Sequence, residues 1–374
     1  MKTGRSLEEL VTELDRQAAS RVDIVVPTTR LRALGEGGTA LDIPGEGTLE
    51  LTEHAHAQLA AELDIPRQYY ARMRESAQRL WAENVGHWLA AQERVRLVRT
   101  IDRRIRGIMS DAYRPLDNFE LTAKAIIPAL RTLGDARVES CQITESRLYI
   151  KLVRPSIQWD AAMAKREALI KAGASTHLTL DDPDVLQAAL TIRNSEVGDG
   201  ALAIEAGVFA LRCLNLATST VVQRTKHVGR RHRNQDGEDD VYRLLSDEAR
   251  EADDTAYWLR CRDVIQASLT EERFMLSAGK YAHAAGDRLT GDVEKVVEAT
   301  AVKFGLSDAT RSGVLKSLIE SGDLSRLGVA NAITAQSQRE ADYETASALE
   351  RVGGRVIELA PGDWKLLNVA NGQN

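Results

Sequence analysis

The residues most able to do chemistry are cations set at strand spacing. The stretch "RVRLVRTIDRRIRGIMSDAYRP" carries Arg94, Arg96, Arg99, Arg103, Arg104, Arg106 and Arg114. In an extended strand, residues i and i+2 share a face, so Arg94 points with Arg96 and Arg104 with Arg106. Like charges side by side on one face repel unless an anion lies across them. Guanidinium forks suit phosphate oxygens, and Tyr113 next to Arg114 offers a ring for a base to stack on. Lys151, Arg154 and Arg193 extend such a groove, with Tyr149 as a second stacking residue. The bland reading is a solvated face balanced by carboxylates from elsewhere in the chain.

A second constellation is "QRTKHVGRRHRNQDGEDD". Arg224, Lys226, His227, Arg230, Arg231 and Arg233 occur there with no acid among them, and Asp236, Glu238, Asp239 and Asp240 follow. This marks residues 224–233 as a phosphate-tracking segment, against the common alternative of a charged surface loop.

Other chemistry finds less support. The phosphate-loop pattern is absent, because Phe274 stands where "MLSAGKY" needs its first glycine. "GDGALA" at Gly198–Ala203 approaches a dinucleotide fingerprint, which requires a helix directly after it; a turn between strands is the competing reading. His54 with His56, and His227 with His232, lack zinc-like partners. Asp181, Asp182 and Asp184 read as helix caps or turn formers before they read as cation ligands. Cys213 sits in an apolar context that makes a thiol inert. These residues predict no catalytic group, no metal and no cofactor.

The elements that position the arginines follow from periodicity. Residues 1–20 predict a helix with Leu7, Leu10, Val11 and Leu14 on one face. "VDIVVPTTRLRALGEGGTALDIPGEGTLELT" predicts short strands and turns, and the next forty residues predict two or three helices. Hairpins turning near Asp102–Arg103 and Glu145–Ser146 flank a helix capped by Gly134. "WDAAMAKREALIKAGA" predicts another helix, and strands return around a turn at Gly198–Gly200. From Ser246 the pattern is helical, closed by a short strand, "GRVIEL". The fold class is therefore α+β. A mixed core of antiparallel hairpins and helices with a basic surface spans 1–233, a charged loop 234–245, and an acidic helical region 246–374.

Composition sets limits. The 374 residues are 43% apolar, with a net charge of −6, so a wholly basic nucleic-acid coat is excluded. The charge is uneven: residues 235–374 hold 16 basic and 25 acidic residues, and those before hold 33 and 30. Three widely spaced cysteines fit a reducing cytoplasm. No apolar run approaches membrane-spanning length.

The chain resembles the phage/plasmid-like proteins of unknown function, a family of prophages, plasmids and their hosts. The segments that carry the resemblance are "AHAQLAAELDIPRQYYARM", "LVRTIDRRIRGIMSDAYRPLDN", "RNSEVGDGALAIEAGVFALRCLNLA", "KHVGRRH" and "GDLSRLGVANAIT". The arrangement R-x-x-x-S-x-x-Y-R-P-L-D-N at Arg106–Asn118 is the most specific. Leu216 departs from the family's Cys-x-Asn-Gly/Thr, and Met163–Ala189 resembles an insertion. A looser similarity in architecture is to phage single-strand annealing recombinases. The resemblance implies a setting of DNA replication, recombination or host conflict. The expectation is a non-catalytic protein binding single-stranded DNA, or duplex, as a homo-oligomer or with a host or phage protein. The alternatives are an acidic interaction protein that modulates a host factor, and a nucleotide-using enzyme built on the Gly198–Gly200 turn.

Overall fold

The computed structural model describes residues 4–173, 184–211, 215–225 and 246–368. Helix α1 (Leu7–Ser20) opens with a capping box in which Ser6 and Glu9 satisfy each other's backbone amides, and it buries Leu10 and Leu14. Four short strands follow: β1 (Val22–Pro27), β2 (Arg32–Leu34), β3 (Ala40–Ile43) and β4 (Gly47–Leu51). Helices α2 (Glu53–Glu62), α3 (Arg67–Ser76) and α4 (Gln78–Ala91) come next, with Pro66 at the N-cap of α3. The hairpin of β5 (Val95–Ile101) and β6 (Arg104–Ser110) completes a six-stranded sheet of order β1-β5-β6-β4-β3-β2. Its pairs are antiparallel except β4 with β6.

The expected turn is present. Asp102 and Arg103 have φ of 51° and 59°, the two left-handed residues that a right-twisted two-residue hairpin demands. One face of this sheet is apolar: Val98, Ile105 and Ile108 meet Leu59, Tyr70, Met73, Trp81, Val85 and Leu89 of the three helices.

A helix over 118–133, α5, leads to the second sheet. Its Leu121–Ile126 segment widens into a π turn just before Pro128, whose ring and missing N–H disfavour a regular helix there. Gly134, at φ 74°, ends it as expected. Strands β7 (Arg137–Ile143), β8 (Leu148–Asp160), β9 (Val185–Asn194), β10 (Leu202–Ala210) and β11 (Asn215–Thr225) form an antiparallel meander in sequence order. Helix α6 (Ala162–Lys171) sits between β8 and β9.

The C-terminal helices are α7 (Asp247–Ser268), α8 (Glu271–Gly286), α9 (Val293–Phe304), α10 (Asp308–Ser321), α11 (Arg326–Arg339), α12 (Tyr343–Ile357) and α13 (Pro361–Asn368). They do not form a separate acidic layer. Ile150, Leu152, Leu190, Ile192 and Ile204 of the second sheet share one core with Trp258, Ile265, Phe274, Tyr281 and Ile333 of these helices. A boundary at 234–245 therefore divides the charge of the chain but not its core, and the loop itself lies outside the described residues.

The closing strand is also corrected. "GRVIEL" runs out of α12 as helix, because the Gly353–Gly354 pair serves close packing and not a turn. A Cβ on Gly353 would stand 2.3 Å from Thr334 Cγ2 and 3.0 Å from the Ala330 carbonyl on α11. Gly353→Val is expected to lower stability by about 2 kcal/mol through overpacking. Gly279→Ala, in helix α8 with open space around it, is expected to raise stability by about 0.5–1 kcal/mol. Urea unfolding of the two variants measures both.

Candidate nucleic-acid interface

The strand-borne arginines do not look outward for their anions. Arg94 and Arg96 share a face as expected, and both reach Glu62 at the end of α2, Arg94 at 2.9 Å. Arg99, on the opposite face and 2% exposed in its side chain, holds Asp23 at 2.8 Å and Asp117 at 2.7 Å, and donates to the Glu196 carbonyl at 3.1 Å. Burial works against its charge, but Asp117, Glu196 and Asp23 outweigh this and hold its pKa above the ordinary arginine value. Arg106 is the extra residue of a β-bulge, since Arg99 pairs with Gly107 and Thr100 with Ile105. The bulge delivers its guanidinium to Glu196 Oε2 at 3.0 Å and the Glu145 carbonyl at 3.1 Å. Arg103 donates to the Glu46 carbonyl, while Arg104 stays half exposed with Glu50 4.0 Å away.

The rest of the expected groove is also internally neutralised. Arg114 pairs with Asp253 and Asp254 of α7 and lies over the Tyr257 ring. Lys151 is fully buried, 2.6 Å from Glu350 of α12 and over the Tyr343 ring. Arg193 pairs with Glu205 on the neighbouring strand, and Arg154 with Asp135. Neither tyrosine presents a free ring: Tyr149 is 0% exposed, and the Tyr113 hydroxyl donates to the Ser195 carbonyl at 3.2 Å and accepts from Gly198 N at 3.1 Å. The anions across most of these cations are the protein's own carboxylates. Arg224 is exposed at the end of β11. Lys226, His227, Arg230, Arg231 and Arg233 lie outside the described residues, as do Asp181, Asp182 and Cys213.

Several of these contacts converge on one loop, residues 195–201 between β9 and β10. Glu196 Oε1 accepts from the Asn118 amide at 2.6 Å while its other oxygen holds Arg106. Asn194 donates to the Leu116 carbonyl and to Asn118 Oδ1. The Val197 carbonyl accepts from Gln58 at 2.6 Å and from His54 Nε2 at 2.9 Å. The Val197 side chain seats on Gly107, where a Cβ would come within 2.9 Å of it. The glycines beyond it lead into strand β10 and not into a helix, so the dinucleotide fingerprint lacks the element that would bind phosphate. His56 is buried between Tyr70 and Thr39, and Asp184 pairs with Lys165. Among the described residues, no three His, Cys, Asp or Glu side chains gather as a metal site.

Unpaired cations lie on another surface. Arg30 and Arg32 belong to the 3₁₀ turn at Thr28–Arg30 and to β2, against which α4 packs. Arg67 and Arg72 are on α3 and Arg79 on α4. All five are exposed, and none makes a side-chain ion pair or hydrogen bond among the described residues. Residues 28–34 and 67–91 together hold six arginines and two glutamates; the sixth, Arg74, pairs with Glu53. The same two helices expose two aromatic rings, Tyr69 at 43% and Trp88 at 44%. No local cation run marks this surface, because strands β3 and β4 and their acids separate its parts in sequence. Its only sequence signal is the pairing of arginine with aromatic residues in "RQYYARMR".

The surface rests on a buried aromatic triad. His56, Tyr70 and Trp81 meet edge to face with centroids 5.8–6.1 Å apart. Burial, with Arg74 nearby, holds the His56 pKa down to about 4. No protein-family model, curated protein or solved structure matches the chain.

Two outcomes follow. Glu196→Gln is expected to cost about 3 kcal/mol or more, because Arg106 stays buried without its carboxylate; denaturant titration measures this. His56 is neutral when folded and takes up a proton more readily when unfolded. Its contribution is therefore present above about pH 6.5 and is lost as pH falls towards 4. The urea midpoint should drop between pH 7 and pH 5, and His56→Phe should flatten that slope.

Proposed function

We propose that the protein binds single-stranded nucleic acid, without catalysis, on the layer formed by α3, α4, the Thr28–Arg30 turn and β2. One observation carries the reading: within a chain of net charge −6, these elements carry six arginines against two glutamates and expose Tyr69 and Trp88. Arginine forks neutralise phosphates, and exposed rings stack on bases of any sequence. A duplex hides its base faces, so the rings favour an unpaired strand. The acid-free run Arg224–Arg233 is a second set of cations suited to phosphate. The setting proposed for such binding is replication or recombination of a phage or plasmid.

The test is a salt series with oligo(dT). Three arginines that each release a counterion contribute a slope of about −2 in log affinity against log salt. Arg67→Gln, Arg72→Gln and Arg79→Gln combined should reduce the slope by that amount. Trp88→Ala should weaken binding by about 1–3 kcal/mol at every salt concentration. The double control Arg94→Gln with Arg104→Gln should leave both unchanged. A folded protein that binds no oligonucleotide at low salt contradicts this reading and favours the acidic interaction protein.

A further inference from the structure

A cavity of about 150 Å³ opens between the tips of the β5–β6 and β7–β8 hairpins, α1 and the N-terminal end of α2. Gln17, Thr52, Asp102, Arg104, Arg106 and Glu145 line it. At roughly 30 Å³ per water, it holds about five water volumes, enough for a ligand of a few heavy atoms. It lies apart from the helix layer proposed above to bind nucleic acid.

The charges around this cavity separate into two kinds. Arg106 is bound to Glu196, and Asp102 to Arg16 at 2.5 Å. Arg104 and Glu145 are left. The nearest carboxylate to Arg104 is Glu50 at 4.0 Å, beyond hydrogen-bond reach. Glu145 accepts one hydrogen bond, from His54 N to Oε1 at 2.9 Å. These two opposite charges line one cavity without pairing with each other. Gln17 turns its amide nitrogen to Glu13 at 2.7 Å, and its oxygen is sealed from the cavity. Thr52 adds a hydroxyl whose oxygen already accepts from Ala55 N.

The open donors are thus the Arg104 guanidinium and the Thr52 hydroxyl, and the open acceptor is Glu145 Oε2. From this juxtaposition we infer that the cavity binds a small zwitterion, an α-amino acid. Its carboxylate meets the fork of Arg104. Its ammonium, a donor only, meets the Glu145 carboxylate. A phosphate ion fits poorly, because it sets its oxygens against the Glu145 carboxylate.

Calorimetric titration and saturation-transfer NMR on the full chain test this with glycine and L-alanine as probes. Acetate, methylammonium and inorganic phosphate serve as comparisons. The expected result is saturable binding of the amino acids, with acetate and methylammonium about tenfold weaker or worse. Arg104→Gln and Glu145→Gln alter exposed side chains. Each should weaken amino-acid binding about tenfold while the melting temperature without ligand stays unchanged. Absence of saturable amino-acid binding overturns the inference. So does phosphate binding in preference to glycine, or binding that both variants leave intact.

Discussion

A buried carboxylate that holds two distant parts of the chain is the interaction on which the rest of this structure depends. Glu196 takes the Arg106 guanidinium on one oxygen and the Asn118 amide on the other, at 3.0 and 2.6 Å. The first ties the loop between β9 and β10 to the first sheet. The second ties it to the start of α5. A buried guanidinium and a buried carboxylate each carry a large desolvation cost, offset here only because the contacts are close and further hydrogen bonds complete them. The Asn118 amide completes the carboxylate and the Glu145 carbonyl completes the guanidinium, while Arg99, Tyr113, Gln58 and His54 satisfy the loop's backbone carbonyls. The loop meets the first sheet through these polar groups and through a small apolar contact of Val197 with Leu97 and Met109, while the two main apolar cores are separate from it.

That constraint decides which cations can recognise anything. Arg99, Arg106, Arg114, Arg193 and Lys151 have carboxylates of their own, and moving them to a phosphate would leave those carboxylates buried without partners. Recognition then falls to arginines without such a cost, on the solvent side of the helices covering the first sheet. The division is physical. Side chains of the β5–β6 hairpin bind the molecule together, whereas Arg30, Arg32, Arg67, Arg72 and Arg79 keep their donors open to solvent.

Much of the fold was legible in the sequence. The alternation of β5, β6, β7 and β8 set the hairpins, and the α5 helix ended where Gly134 supplies a positive φ. The charge balance was not legible, because counter-ions come from far along the chain: Asp23 lies 76 residues from Arg99, and Glu196 lies 90 from Arg106. Local counting saw a cation cluster where the fold makes an ion-pair network. The bulge at Arg106 was equally invisible, since alternation assumes an unbroken register. The helical end of α12 was missed because two glycines before β-branched residues look like a turn and a strand. Yet "YRPLDN" and "RNSEVGDG", far apart in sequence, close on each other around Glu196.

The central claim is that nucleic acid is held by the helix layer and not by the strand-borne arginines. Photo-crosslinking of oligo(dT) to the full chain, with the modified peptides identified by mass spectrometry, tests it most directly. Crosslinks at Tyr69 or Trp88, within residues 67–91, are the predicted result. Crosslinks concentrated in residues 94–118, on the β5–β6 hairpin and the segment after it, would contradict the account.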